Sequence, residues 1–276
     1  MSDTEVLSDV DCSTIEITTL MAEALLSMFT FRYAGKSLEV PHDSIFVPYA
    51  TFFAGEYDFL NINKRDVVLD VGANIGDFTL LASLKANKVI AIEPNMSTFA
   101  LLRRNVQSLD NVILINKAVG DVHKFVSIEG NGVSAFTVED HGGAIEMDRI
   151  DDLLSTLSIS PTILKMDIEG FEFNALKDQK FVSRLRRAVI ETHSAKLAQL
   201  CESLLNREGF QTNCVTTFSV ALRTIRNILR HPYSFLAYEN ETNFYAMGQI
   251  YNFIRTGTNP IPSCGGHELK LIQAWK

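Results

Sequence analysis

Apolar and polar positions along the chain follow two different periods. In residues 13–33 the apolar side chains recur every three or four positions, which predicts an amphipathic helix. From residue 67 onward, short and almost unbroken apolar runs alternate with further helical patterns. The apolar runs predict five buried strands, at residues 67–69, 89–92, 112–115, 162–166 and 188–190. The helical patterns lie at residues 78–82, 97–107, 171–176 and 195–208.

Strands that are buried along their whole length and separated by helices are typical of a parallel sheet covered on both faces. The sequence therefore predicts an α/β fold with a doubly wound, mostly parallel sheet. Residues 211–217 and 243–247 predict an antiparallel hairpin at the edge of this sheet. The expected organisation is a helical extension at residues 1–45, the main domain at 46–250 with an insertion at about 218–240, and a C-terminal tail at 251–276.

Composition and charge exclude several classes of protein. The 276 residues carry a formal net charge of −8, which argues against nonspecific coating of nucleic acid. The four cysteines form no Cys-x-x-Cys pair, so neither a zinc ribbon nor a disulfide framework is expected. The first residues are acidic where a signal peptide would be basic, and no apolar run reaches the length of a membrane span. We expect a reduced, cytoplasmic protein without a membrane span.

A glycine-containing turn follows the first strand of the predicted sheet, with the sequence Asp70-Val71-Gly72-Ala73-Asn74-Ile75-Gly76. Glycines let a backbone turn sharply and approach a ligand, while the next helix offers its N-terminal amides. A dinucleotide site has the spacing G-x-G-x-x-G, which is absent here. An acid just before the first glycine attracts an ammonium group and repels a phosphate. The turn therefore favours S-adenosylmethionine over NAD, and a turn that binds no ligand is the alternative.

A second acid, Glu93, ends the next predicted strand, and Pro94 then stops that strand. A carboxylate at this position can accept hydrogen bonds from both hydroxyls of a ribose. Two acids at the ends of two adjacent strands are difficult to explain as solvated surface. Together they favour a cofactor site over a purely structural turn.

The same segments resemble a known family. Residues 70–76 resemble the glycine-rich motif of class I S-adenosylmethionine-dependent methyltransferases. Further segments resemble the FkbM branch of that superfamily, and the resemblance extends over about residues 56–208. They are Gly55-Glu56, Glu93-Pro94-Asn95 followed by Leu101 and Asn105, Asn116 to Asp121, Asp151 to Leu154, Leu164 to Glu172, and Ile190 to His193. The Lys-x-Asp-x-Glu-Gly pattern that begins at Lys165 is the most specific of them.

The resemblance implies a Rossmann-like methyltransferase that acts on hydroxyls of sugars, polyketides or other small metabolites. It also implies that the glycine turn lines the methionine end of the cofactor, that Ala118 and Val119 flank the adenine, and that Glu56 reaches the amino-acid end. With the two acids described above and Asp167, the predicted cofactor-binding residues are Glu56, Asp70, Gly72, Ala73, Asn74, Gly76, Glu93, Pro94, Ala118, Val119 and Asp167.

Charged residues at the ends of the fourth and fifth predicted strands are the candidates for chemistry. Lys165 and Asp167 share a strand face, with Glu169 just beyond the strand end. They predict either an ion pair of Lys165 with one of these acids, which braces the sheet, or a methyl-transfer site at Asp167. His193, which ends the neighbouring strand, has a suitable pKa for a general base, and Asp167 is the competing base.

Three alternatives stay open at this stage. Asp167, Glu191 and His193 could gather around a divalent cation, but the motif does not require a metal and none is expected. An RNA methyltransferase is favoured by one feature, the basic cluster of Arg223, Arg226, Arg230 and His231. A module that binds the cofactor without catalysis could use residues 13–33 as its interface. A small-molecule or glycan hydroxyl is the preferred acceptor, and nucleic acid is less favoured.

Overall fold

The computed structural model describes residues 28–129, 136–138, 144–215, 225–227, 229 and 270–276. Its strands are β1 (Met28–Tyr33), β2 (Lys36–Pro41), β3 (Val67–Val71), β4 (Lys88–Ile92), β5 (Val112–Ile115), β6 (Ala118–Gly120), β7 (Lys124–Glu129), β8 (Phe136–Val138), β9 (Ile145–Arg149), β10 (Ile163–Met166), β11 (Arg187–Thr192), β12 (Gln211–Cys214) and β13 (Lys270–Trp275). The helices are α1 (Asp77–Ser83), α2 (Met96–Val106), α3 (Ile150–Leu157), α4 (Glu172–Leu176) and α5 (Ala195–Arg207). Short helical turns lie at His42–Ser44, Phe46–Pro48, Tyr49–Phe53, Asp58–Leu60 and Lys180–Arg184.

The central sheet has seven strands in the order β12-β13-β11-β10-β3-β4-β5. Five consecutive strands of this sheet, β11, β10, β3, β4 and β5, run parallel to one another. This confirms the predicted strands and the doubly wound fold. The chain runs outward in opposite directions from β3 and from β10, so these two neighbours form a topological switch point. A crevice that binds ligands opens at the carboxyl ends of the strands at such a point.

Both faces of this sheet are covered, because successive residues of each strand point to opposite sides. Leu69, Ile90 and Leu164 pack on one side with α3, α4 and α5. Val68, Val89 and Ile163 pack on the other side with Phe78 of α1. All of these side chains are buried, which explains why the strands appear in the sequence as unbroken apolar runs.

The helix predicted over residues 13–33 is wrong for its last part, because Met28–Tyr33 forms β1, paired antiparallel with β2. Phe29 and Phe31 are buried while Thr30 and Arg32 between them are exposed, so the burial follows the two-residue period of a strand. Residues 1–27 lie outside the described residues.

The antiparallel edge of the sheet is confirmed at β12, but its partner differs from the prediction. β12 pairs with β13, which lies between β12 and β11. Part of the predicted C-terminal tail is thus a strand of the main sheet, with Leu271, Ile272 and Ala274 buried. Residues 243–247, the predicted partner, lie outside the described residues, and in the predicted insertion residues 225–227 and 229 are helical.

A second sheet, in the order β6-β9-β7-β8, follows β5 and was not predicted. Ala118 and Val119 lie in β6, so this sheet places them beside the ends of the central strands. Separately, none of the helices in the described ranges is long and apolar enough to cross a membrane.

Candidate active site

The turn after β3 lies against the end of β10. Gly72 has φ +74°, and its amide donates a hydrogen bond of 3.0 Å to the carbonyl of Ile92. A Cβ atom at this position would lie 1.7 Å from the carbonyl oxygen of Asp167. Only glycine therefore allows the turn to approach β10 this closely, and this contact holds the loop at the switch point.

A cavity of about 660 Å³, including space open to solvent, begins at this turn; we call it the Glu93 cavity. The structure brings together here many of the predicted cofactor-binding residues, namely Gly72, Asn74, Glu93, Pro94, Ala118, Val119 and Asp167. Lys117, Ile128 and Phe171 also line it and were not predicted. Contacts of these residues with a cofactor stay predictions.

Glu93 lies in this cavity with both carboxylate oxygens held by backbone amides. Oε2 accepts a hydrogen bond from the Asn74 amide at 3.0 Å, and Oε1 accepts one from the Asn95 amide at 2.9 Å. Burial raises the pKa of Glu93 to about 7, although these hydrogen bonds lower it. Each oxygen keeps a further lone pair, so the fixed carboxylate can accept from a pair of neighbouring hydroxyls.

A second cavity of about 640 Å³, the His193 cavity, adjoins the first. Asn74, Asp167 and Glu169 line both cavities, so the two meet at these residues. Acidic side chains dominate the His193 cavity, which is lined by Glu56, Asp77, Asp167, Glu169 and Glu191 beside Lys165 and His193. Glu56, predicted to bind the cofactor, therefore lies in the second cavity.

His193 is surrounded by carboxylates. Its Nδ1 lies 3.2 Å from Oε1 of Glu172, and its Nε2 lies 3.1 Å from Oε2 of Glu169 and 3.7 Å from Oδ1 of Asp167. Burial lowers the pKa of His193, but the hydrogen bond to Glu172 and the neighbouring negative charges outweigh it and raise the pKa to about 9. In this arrangement both ring nitrogens face carboxylates.

In the His193 cavity the carboxylates outnumber the positively charged side chains, and burial disfavours their charged form. Burial raises the pKa of Asp167 and, aided by the charge of Asp167, raises the pKa of Glu169 to about 7. Burial and the charges of Asp167 and Glu56 raise the pKa of Glu191 well above its ordinary value. A site with this surplus of acidic groups favours the binding of a cation.

Asp70 does not reach either cavity. It is fully buried, and its Oδ2 accepts a hydrogen bond of 2.5 Å from the hydroxyl of Thr79. The ammonium group that it meets is that of Lys165, whose Nζ lies 3.4 Å from Oδ1 of Asp70 and also donates to the carbonyl of Gly72. The ion-pair partner of Lys165 is therefore Asp70 rather than Asp167 or Glu169, which gives Asp70 a structural role, and a contact of Asp70 with the cofactor stays a prediction.

Because Lys165 neutralises a buried carboxylate, replacing it with methionine should destabilise the fold strongly. Side-chain exposures of 5% for Lys165 and 0% for Asp70 leave no water to solvate the remaining charge. We expect Lys165→Met to lower the free energy of unfolding by about 3–5 kcal/mol, measured by urea denaturation. The double variant with Asp70→Asn should recover part of the loss, and a loss below about 1 kcal/mol in the single variant would contradict the pairing.

Two other predicted residues support the site from outside the cavities. Ala73 is 1% exposed and packs in an apolar cluster with Leu102 of α2. Gly76 begins α1 with φ +93°, and a Cβ there would lie 2.7 Å from the Leu102 side chain. Both therefore set the packing of the turn against α2, and neither lines the Glu93 cavity.

Of the basic cluster that favoured RNA, the structure describes Arg226. Its guanidinium lies 3.2 Å from Oδ2 of Asp58, in an ion pair within the chain. The other three members, Arg223, Arg230 and His231, lie outside the described residues.

Comparisons with known proteins show the family of the chain. The Methyltransferase FkbM domain matches residues 70–231, which is more than half of the chain. Hexuronic acid methyltransferase AglP of Haloferax volcanii is 29% identical over 155 residues, which cover 51% of this chain and 63% of that protein. Methyltransferase sdnD of Sordaria araneosa is 25% identical over 199 residues, which cover 56% of this chain and 77% of that protein.

A solved structure of methyltransferase FkbM from Methylobacillus flagellatus KT has 22% identity and a TM-score of 0.44, covering 60% of this chain and 44% of that one. M. jannaschii TYW2 in complex with AdoMet has 14% identity and a TM-score of 0.43, covering 90% and 85%. The family match includes the glycine turn, Glu93 and the strand ends at Asp167 and His193. The match with the hexuronic acid methyltransferase spans less than two thirds of that protein. The chain belongs to the FkbM methyltransferase family.

Proposed function

We propose that this enzyme transfers the methyl group of S-adenosylmethionine to an oxygen atom of a sugar or of a similar small hydroxyl compound. The observation that carries the proposal is the junction at Asp167, where the Glu93 cavity meets the His193 cavity. Methyl transfer needs the two reactants aligned in line, and two adjoining cavities provide that alignment.

The residues of the Glu93 cavity fit the cofactor. Glu93 would accept hydrogen bonds from the ribose hydroxyls, and Ala118 and Val119 would enclose the adenine. The turn at Gly72 and Asn74 would hold the methionine end, and Glu56, which lines the His193 cavity together with Asn74, would bind its amino-acid group. When bound there, S-adenosylmethionine supplies a methyl group that is already activated by its sulfonium charge.

Asp167 is the residue that we assign to the acceptor proton. As the oxygen–methyl bond forms and the sulfur–methyl bond breaks, the hydroxyl proton passes to the Asp167 carboxylate. Asp167 lines both cavities, whereas His193 lines only the second and both of its nitrogens already face carboxylates. His193 is then a positioning residue that holds Asp167 and Glu169 in place.

The relatives support a sugar as the acceptor class. One is named for hexuronic acid, a sugar that offers both hydroxyl and carboxylate oxygens, although the match spans only 63% of its length. The acidic lining of the His193 cavity opposes a phosphate-rich acceptor such as RNA, which is the second class from the sequence.

Cofactor binding tests the first half of this proposal. We expect Glu93→Gln to lower the affinity for S-adenosylmethionine by about 10- to 100-fold in calorimetric titration. The reason is that a hydrogen bond to a charged group contributes about 1.5–3 kcal/mol. The matched control is Glu39→Gln, a surface carboxylate that is 49% exposed, pairs with Arg104 and lines neither cavity. Equal affinity in the two variants would remove Glu93 from the cofactor site.

The acceptor is tested by transfer of a labelled methyl group to a panel consisting of a hexuronic acid glycoside, a neutral hexose glycoside and mixed tRNA. We expect label in one or both sugars. Label that enters only the tRNA would contradict the proposed acceptor class and return the RNA hypothesis to first place.

A further inference from the structure

We propose that Asp167, Glu169 and His193 form a binding site for a divalent cation such as Mn²⁺, at the junction of the two cavities. One ligating atom from each residue lies within 4.8 Å of the other two. The cation site is inferred from these side chains alone, and only its use in catalysis rests on the proposed function.

The three ligands are held by rigid parts of the fold. Asp167 and His193 follow directly on β10 and β11, which are hydrogen-bonded parallel neighbours. Glu169 has φ +54°, a left-handed conformation that turns the chain just beyond β10 and leaves its carboxylate 3.1 Å from Nε2 of His193. Adjacent strand ends thus bring two oxygens and one nitrogen to a single point.

A carboxylate outside the ligand set orients the histidine. Glu172 is fully buried, and its Oε1 lies 3.2 Å from Nδ1 of His193. This contact directs Nε2 toward Asp167 and Glu169, and a histidine held by a carboxylate in this way is the usual arrangement around a bound metal. Oδ1 of Asp167, which faces this nitrogen, is buried and has no hydrogen-bond partner among the described residues.

A second group of one histidine and two acids differs from the proposed site, because a lysine contacts its carboxylates. His123, Glu146 and Asp148 also lie within metal-binding reach of one another, but Nζ of Lys117 lies 2.5 Å from Asp148 and 2.8 Å from Glu146. An ammonium group therefore already neutralises those carboxylates. Beside Asp167, in contrast, the nearby lysine is directed to Asp70 and the Gly72 carbonyl, so no lysine ammonium in the described part of the chain pairs with Asp167 or Glu169.

The donor set indicates the class of ion and its purpose. Two carboxylates favour Mg²⁺ or Mn²⁺, and an imidazole shifts the preference toward Mn²⁺ and other transition metals. Three protein ligands leave coordination positions open toward the His193 cavity, where an acceptor hydroxyl or the carboxylate of a uronic acid can bind. A bound hydroxyl would then lose its proton more readily, to the second oxygen of Asp167.

The test measures direct binding of Mn²⁺ to the full chain after treatment with a chelator. Calorimetry and the electron paramagnetic resonance signal of free Mn²⁺ are the two readouts. We expect one saturable site that Glu169→Gln weakens at least about tenfold, since it removes a charged ligand. The matched control is Glu146→Gln in the lysine-neutralised group, which should bind Mn²⁺ like the wild type. Circular dichroism of both variants confirms that they are folded.

The outcomes separate this proposal from the proposed function. Mn²⁺ binding that depends on Glu169 supports the site even when no acceptor on the panel is methylated. Absence of saturable binding, or equal loss in the two variants, overturns the site. If the chelator-treated enzyme shows no saturable binding of added Mn²⁺ but still methylates a sugar, the proposed O-methylation is supported and the cation site is overturned.

Discussion

Replacing Gly72 with alanine is expected to damage both the fold and the cofactor site. The added Cβ would lie 1.7 Å from the Asp167 carbonyl oxygen, and a backbone atom of a central strand has little freedom to move away. The left-handed φ of +74° adds its own cost for any residue with a side chain. We expect Gly72→Ala to lower the free energy of unfolding by roughly 2–5 kcal/mol and to abolish measurable binding of S-adenosylmethionine.

Gly209 provides the matched control for this experiment. Its φ of +85° is similar, but a Cβ there meets nothing within 4 Å. Gly209→Ala should therefore lose only the conformational part, about 1–2 kcal/mol, and should bind the cofactor normally. Urea denaturation and calorimetric titration of both variants measure the difference. Equal losses of stability would show that the contact between the turn and β10 is not the constraint.

Replacing Asp167 with asparagine is expected to have the largest effect on catalysis. The substitution keeps the shape of the side chain but removes the group that receives the acceptor proton where the two cavities meet. We expect turnover to fall by about 10²- to 10⁴-fold, the usual contribution of a positioned general base, while S-adenosylmethionine still binds.

The control for this variant is Asp152→Asn on α3, whose side chain is 71% exposed. It should retain wild-type turnover and cofactor affinity. If the turnover of Asp167→Asn stays within a few-fold of the wild type, the assignment of Asp167 is contradicted. Another acidic group of the His193 cavity would then be the proton acceptor.

Most of the central sheet could be predicted because its signal is local. The strands that carry the site are buried on both faces, so each appears as an apolar run whatever its neighbours are. β1 was mistaken for a helix because Met28 and Phe29 continue the three- and four-residue spacing of the apolar residues before them. The tertiary contact decides between them, since Phe31 packs on Phe52 with ring centroids 4.9 Å apart.

Long-range pairing accounts for the errors at the sheet edge. β12 and β13 are separated by more than fifty residues of chain, and nothing local in the Gln211–Cys214 segment indicates its partner. The second sheet did have a local signal. Apolar and polar residues alternate along β9, where Met147 is fully buried, and the same pattern could have identified the strand.

The candidate site divides in the same way. Gly72 and Glu93 could be predicted because a turn and a strand end are defined by adjacent residues. The ion pair of Asp70 with Lys165 could not be predicted, because the sequence does not show which carboxylate the ammonium group reaches. The contacts of His193 with Glu169 and Glu172 likewise depend on how the loop after β10 folds back, which only the tertiary structure shows.

Transfer to oxygen is the central claim, and the position of the transferred methyl group tests it most directly. The enzyme would be incubated with S-adenosylmethionine carrying a ¹³C-labelled methyl group and with the acceptor that incorporates label, and the product examined by NMR. We predict a methyl carbon bonded to a sugar oxygen, as an ether at a hydroxyl or an ester at a uronic carboxylate. A methyl carbon bonded to nitrogen or to carbon would contradict it.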